Sequence, residues 1–164
     1  MGEKQRRPAP DNREIARVLD DISRLLEVKQ ESPFKIRAYH NAARAIAALS
    51  DELRDMVARG GDLRDIPGVG EAIASKVTEL IATGRLEYLD RLKRSMPEGV
   101  PELMELPGIG PRTAARLAGE MGITSVEALE AALRAGAVKG RAGIGEKTAQ
   151  SLLKEIETRR RPGR

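Results

Sequence analysis

Three times the chain sets glycine, one apolar residue and glycine ahead of a helical pattern. The stretches are IPGVGEAIASKVTELI from Ile66, LPGIGPRTAARLAGEM from Leu106 and RAGIGEKTAQSLLKEI from Arg141. Their glycine pairs, Gly68/Gly70, Gly108/Gly110 and Gly143/Gly145, are spaced by 40 and then 35 residues. Alanine recurs four positions after the second glycine, as Ala74, Ala114 and Ala149. Self-similarity of this kind predicts one supersecondary unit used repeatedly. Each unit is a tight turn that opens a helix, so the repeats leave little chain for anything but helices and short connections.

The remaining segments agree. Ile15, Leu19, Ile22 and Leu26 recur at helical spacing, with Asp11 or Asn12 as the cap. A second helix starts at Ser32-Pro33 and carries Phe34, Ala38, Ala42, Ile46 and Leu49. Ser50 is placed as the cap of a short helix with Leu53, Met56 and Val57, ended by Gly60-Gly61. Ile73, Ala74, Val77, Leu80 and Ile81 form one stripe that stops at Gly84, followed by a helix near Leu86–Ser95. The run Pro97-Glu98-Gly99-Val100-Pro101 is read as a break. Thr124-Ser125-Val126-Glu127 reads as a capping box, and a last helix spans about Gly145 to Thr158. No alternating pattern persists, so the fold class is all-α.

A turn of this type has a chemical use. Glycine lets another backbone come close. The helix that follows exposes unbonded N–H groups and a partial positive charge, which together seat an anion without a basic side chain. That suits the charge distribution. The net charge is +4, but the first ten residues carry +2 and the last six carry +4, leaving the body at −2. The body would therefore hold phosphate with oriented amides, and the basic ends would add non-specific attraction or simply solvate the chain. Residues 1–10 are read as a basic disordered tail and 159–164 as a second basic tail. The other reading of a single glycine turn is an interhelical connection with no ligand; the repetition favours nucleic-acid binding.

Several classes are excluded. There is no cysteine, hence no disulfide or thiolate site, and His40 is the only histidine. It is read as a surface or pocket-edge residue. Phe34, Tyr39 and Tyr88 are the only aromatic residues, too few for binding single strands by base stacking. No apolar run is long enough to span a membrane, no signal peptide is apparent, and a cytoplasmic, nucleoid-associated location is the expectation.

The three copies resemble helix-hairpin-helix motifs. From Asn12 to about Glu157 the order of parts resembles the amino-terminal region of family X DNA polymerases. The likeness is greatest to the bacterial members with a further metal-dependent phosphoesterase domain, and more distant to polymerase beta. SPFKIRAYHNAARAI followed by IPGVGEAIASKV carries it most specifically. The resemblance implies a small helical lyase-like domain over 11–96, holding the first hairpin, and a second helix-hairpin-helix DNA-binding domain over 97–158. It implies backbone binding of gapped, nicked or 5′-recessed DNA in base excision or gap repair. The DNA contacts it implies are Arg64, Gly68, Val69, Gly70 and Lys76, then Gly108, Ile109, Gly110, Arg112 and Arg116. No cofactor is required, but the hairpins would hold Na+ or K+ through the backbone carbonyls of Arg64, Ile66 and Val69, and of Met104, Leu106 and Ile109. A polymerase or nuclease domain, or another repair protein, is the implied partner. The palm with its magnesium-binding acids is missing, so the chain as it stands is expected not to polymerise DNA.

The resemblance also makes Lys76 a Schiff-base nucleophile for a 5′-deoxyribose phosphate or abasic-site lyase, metal-independent and unaffected by EDTA. Lys35 would contact the 5′-phosphate and Tyr39 would line the pocket, with Arg37 and Arg64 near. There are departures. Ala72 and Tyr88 stand where efficient members carry basic residues, Phe34 where they have a histidine packed on the template strand, and Ala142 where the third hairpin would have proline. The plainer reading of Lys76 is a phosphate-flanking cation, because Arg116 holds the same place in the second copy. A third reading is a protein-interaction module without catalysis.

Overall fold

The computed structural model describes residues 8–160, and within them the chain is helical, with no named strand. The helices are α1 (Asn12–Val28), α2 (Pro33–Ala47), α3 (Leu53–Ala58), α4 (Glu71–Thr83), α5 (Glu87–Arg94), α6 (Val100–Met104), α7 (Pro111–Met121), α8 (Val126–Arg134) and α9 (Glu146–Arg160), with a 3-10 turn at Leu63–Asp65. They form two compact units, Met1–Arg94 and Ser95–Arg164, where the sequence reading set its boundary after residue 96.

In the first unit the periodic stripe of α1 is the floor of the core: Ile15, Leu19, Ile22, Leu25 and Leu26 are buried, and α1 packs chiefly on α2, which contributes Tyr39, Ala42, Ala43 and Ile46. Asp11 is the cap of α1, its carboxylate accepting the Glu14 N–H at 2.9 Å. Asn12, the alternative cap, does something the sequence did not suggest. Its Nδ2 donates to the Asp51 carbonyl and its Oδ1 accepts the Leu53 N–H, both at 2.8 Å, so a buried amide ties the start of α1 to the start of α3. Ser50 is consequently not the cap of α3; Glu52 holds that position. Asn12→Ala leaves both of those backbone groups without a partner and is expected to cost the first unit about 2 kcal/mol. Chemical denaturation followed by circular dichroism measures it.

In the second unit Val100, Leu103, Leu106, Leu117, Leu129, Leu152 and Ile156 form the core. The expected break ends inside a helix: α6 starts at Val100. Gly99 turns the chain with φ 85°, and Pro101 sits in the first helical turn, where its missing N–H costs nothing. The cap of α8 is Ser125 in place of Thr124: the Ser125 hydroxyl accepts the Ala128 N–H at 3.0 Å, which removes Glu127 from the box position.

The carboxyl-terminal expectation also needs correcting. α9 continues through Arg160, so Arg159 and Arg160 are helical and not part of a tail. Glu130 on α8 is buried; Arg134 Nη2 lies 3.0 Å from its Oε1, and Arg160 Nη1 lies 2.8 Å from its Oε2, close but without hydrogen-bond alignment. The basic segments 1–7 and 161–164 lie outside the described residues.

Candidate nucleic-acid interface

The first two hairpins are the same object. In Ile66-Pro67-Gly68-Val69 the Val69 N–H donates to the Ile66 carbonyl at 3.0 Å, and Gly68 has φ 88°. In Leu106-Pro107-Gly108-Ile109 the Ile109 N–H donates to the Leu106 carbonyl at 3.1 Å, and Gly108 has φ 86°. Proline followed by a positive-φ glycine is the signature of a type II turn. The apolar residues at either end of each turn are buried, which anchors it, while Pro67, Gly68, Pro107 and Gly108 stay exposed. Gly70 and Gly110 then cap α4 and α7 in extended backbone, and their carbonyls receive the Ala74 and Ala114 N–H groups at 2.9 and 3.0 Å.

Gly70 and Gly110 repay a closer look. Their φ values are −85° and −86°, which any residue adopts, and a Cβ on either would meet nothing within 4 Å. Nothing inside the fold requires glycine there. What glycine leaves is open surface beside backbone amides: among the described residues, the N–H groups of Gly68, Gly70, Gly108 and Gly110 donate to no protein acceptor.

The third copy is built differently. Ala142 and Gly143 both have positive φ, 52° and 74°, which makes Arg141–Ile144 a type I′ turn. Without proline to hold φ negative, the turn changes hand at its first central residue. The Ile144 carbonyl accepts the Gly140 N–H at 2.8 Å, whereas the matching carbonyls of Val69 and Ile109 accept nothing among the described residues.

Lys76 and Arg116 share a repeat position but not an environment. Arg116 is exposed, pairs with Glu120 at 3.2 Å, and sends Nη1 to within 3.9 Å of where a Cβ on Gly143 would sit. Lys76 is half-buried in a cluster drawn from three helices. Its Nζ lies 4.7 Å from the centroid of the Tyr88 ring on α5, and Lys35 Nζ on α2 lies 5.8 Å from the same ring. Tyr39, one turn beyond Lys35, stacks on Tyr88 with centroids 6.2 Å apart and planes 11° apart. The pKa of Lys76 is lowered, first by burial and then by the charge of Lys35; Arg91 adds to this and Glu79 opposes it. The Tyr39 hydroxyl is pushed up to about 12, by burial and then by Tyr88.

So the structure brings Lys35, Tyr39 and Lys76 together with Tyr88, which stands where the resemblance implies a basic residue, and it adds Arg91, which the sequence reading did not name. The three-residue spacing of Tyr88 and Arg91 on α5 was the available signal. Arg64 instead turns its guanidinium to Asp62, with Nη2 to Oδ2 at 2.8 Å. Arg112 is exposed on the first turn of α7, and Arg37 and Phe34 are exposed on α2. His40 faces Asp20, its Nδ1 3.3 Å from Oδ1. Among the described residues no three His, Cys, Asp or Glu side chains group as a metal site, and no helix is long and apolar enough to cross a membrane.

The chain is thus an all-helical protein with helix-hairpin-helix domains in tandem: residues 10–86 match a helix-hairpin-helix domain family, and residues 100–158 match a family described as a SAM-like helix-hairpin-helix tandem. Among individual proteins, it is 32% identical to the DNA polymerase/3′-5′ exonuclease PolX of Bacillus subtilis (strain 168) over 144 residues, 88% of this chain and 25% of that protein. It is 31% identical over 94 residues to the Holliday junction branch migration complex subunit RuvA of Acidovorax sp. (strain JS42) and of Acidovorax ebreus (strain TPSY), 57% of this chain and 49% of each relative. The chain spans a quarter of the length of the first relative and about half that of the other two.

Proposed function

We propose that the chain binds DNA through its phosphate backbone, without reading sequence, using the hairpins at Gly68–Gly70 and Gly108–Gly110. The reading rests above all on Gly70 and Gly110, glycines that the fold does not need and that uncover amides free to meet phosphate. Relatives named for DNA polymerisation and for Holliday junction migration point the same way. Lys76, Arg112 and Arg116 supply charge beside the turns. The third hairpin, with its different turn and its occupied carbonyl, plays a lesser part. The carbonyls of Val69 and Ile109 suit a sodium or potassium ion, with those of Arg64, Ile66, Met104 and Leu106 beside them; such an ion would bridge each turn to a phosphate. Gapped, nicked or 5′-recessed DNA in repair is the substrate this arrangement fits, in the cytoplasm and on the nucleoid, beside a polymerase, a nuclease or another repair protein.

Replacing Gly70 and Gly110 together by asparagine is the direct test. Asparagine is among the best helix caps: its side-chain carbonyl would take up an N–H of the first helical turn and its bulk would stand over the open amides beside it. Thermal stability is expected to hold or rise while DNA affinity falls about tenfold, equivalent to one charge-assisted bond of ~1.4 kcal/mol. Fluorescence anisotropy on a gapped duplex measures the second quantity. Unchanged affinity, or a base-sequence dependence as steep as the salt dependence, would sink the backbone reading.

A second reading has its own observation: Lys76, with its depressed pKa, lies among Lys35, Arg91 and two tyrosines. That is a nucleophilic amine beside cations suited to a phosphate, and it favours a lyase acting on a 5′-deoxyribose phosphate or an abasic site, with Lys76 as nucleophile, Lys35 on the phosphate and Tyr39 in the wall.

A further inference from the structure

Tyr88 is placed to do more than fill a gap. Tyr39, buried and nearly parallel to it, stacks on the ring with centroids 6.2 Å apart. Two ammonium groups from two other helices lie over the ring, Lys76 Nζ at 4.7 Å and Lys35 Nζ at 5.8 Å from its centroid. Both lie within the ~6 Å over which an aromatic face attracts a cation. A pair of like charges sharing one small surface is costly unless something between them is attractive, and the ring is that element.

We propose that Tyr88 is a positioning residue that seats both amines against one aromatic ring, stabilising the protonated form of Lys76 and so restraining its reactivity as a nucleophile. The charged and titratable groups around Lys76 are Lys35 and Tyr39 on α2, Glu79 on its own helix, and Tyr88 and Arg91 on α5. Lys35, Arg91 and burial favour the neutral amine; Glu79 and the Tyr88 ring favour the ammonium. The two sets oppose one another, and the ring is the member that one substitution removes without changing any formal charge. A phosphate that drew Lys35 off the ring would leave the ring to Lys76 alone. The inference refines the lyase reading of Lys76, but it concerns the free protein and is tested without DNA, so its failure leaves that reading standing.

The measurement is the titration of Lys76, followed by NMR of the side-chain Cε and Nζ resonances of the full, isotope-labelled chain. Three variants are compared with the unaltered protein. Tyr88→Leu keeps apolar cover and removes the π face; the Lys76 midpoint is expected to fall by about half a pH unit, giving about threefold more neutral amine at a given pH below it. Tyr88→Phe keeps the face, and the midpoint stays. Lys35→Gln removes the competing cation, and the midpoint rises. An unmoved midpoint in Tyr88→Leu, or an equal fall in Tyr88→Phe, overturns the proposal. If circular dichroism shows Tyr88→Leu unfolded, Tyr88→Met takes its place with the same expected fall, and an unmoved midpoint there overturns the proposal.

Discussion

Lys76→Ala protein is expected to form no borohydride-stable adduct with gapped DNA carrying a 5′-deoxyribose phosphate, while the unaltered chain forms one. The difference is all-or-none because one atom carries the step. The neutral Nζ attacks the sugar aldehyde carbon, water leaves, and an imine forms. Loss of a proton from the neighbouring sugar carbon then expels the phosphate, and borohydride intercepts the imine before that by reducing it to an amine. Only the neutral amine attacks, so trapping should speed up as pH rises towards the pKa of Lys76. That pKa lies below the ordinary lysine value because burial and Lys35 disfavour the charge, so the reactive fraction at neutral pH exceeds that of a free lysine. Arg116→Ala should trap normally, since Arg116 lies in the second unit beside the third turn. An adduct that survives Lys76→Ala would assign the chemistry to another amine. No adduct from the unaltered protein, with DNA binding intact, would reduce Lys76 to a cation beside phosphate.

Gly99→Ala is expected to have the largest effect on stability. Gly99 has φ 85°, a strained conformation for alanine, and a Cβ there would run into the backbone of Thr124, including its carbonyl. Backbone atoms cannot swing aside as a flexible side chain would. Strain of about 1–3 kcal/mol from the left-handed conformation is therefore compounded by a collision that must displace the entry to α6 or the segment ahead of α8. The second unit should lose at least about 3 kcal/mol and the first unit nothing. Hydrogen exchange separates the two, because amides of α7 and α9 would lose protection while those of α1 and α2 keep theirs. Protection unchanged in α7 would mean that Gly99 does not approach Thr124 as described. Gly70→Ala is the natural control, a glycine with ordinary φ and empty space around it.

What could be read from the sequence was whatever repeats or recurs locally. The Pro-Gly pairs at 67–68 and 107–108 dictate their turn by backbone sterics alone, and Ala142 announced that the third turn differs. The helical stripes of α1 and α4 gave their buried faces directly. The unread features are those in which distant residues meet. Asn12 looked like a cap because its partners, Asp51 and Leu53, lie about forty residues away. Arg159 and Arg160 looked like a solvated tail because nothing local says that Arg160 meets the buried Glu130 or that Arg159 donates to the Glu105 carbonyl. α6 was hidden by a density of proline and glycine that usually marks a loop. Tyr88 looked like a missing cation, since helical periodicity tells which face a residue occupies but not which charges share it.

Lys76 and Arg116 show the limit of repetition as evidence. Equal place in the repeat gives equal distance from a hairpin, so both flank a turn. It does not give equal neighbours: one amine lies over an aromatic ring and the other guanidinium lies beside the third turn.

Gly70 and Gly110 carry a consequence for how such a surface withstands change. The donors it would offer are main-chain N–H groups, which every residue but proline carries, so side-chain truncation elsewhere on the hairpins leaves them in place. On the proposed reading the exterior could be rewritten widely and the grip kept. The vulnerability would lie in addition: a side chain gained at these two sites would obstruct contact without meeting anything in the fold. A scan by side-chain truncation would report the flanking cations and pass over the amides; a scan by insertion of bulk would find them.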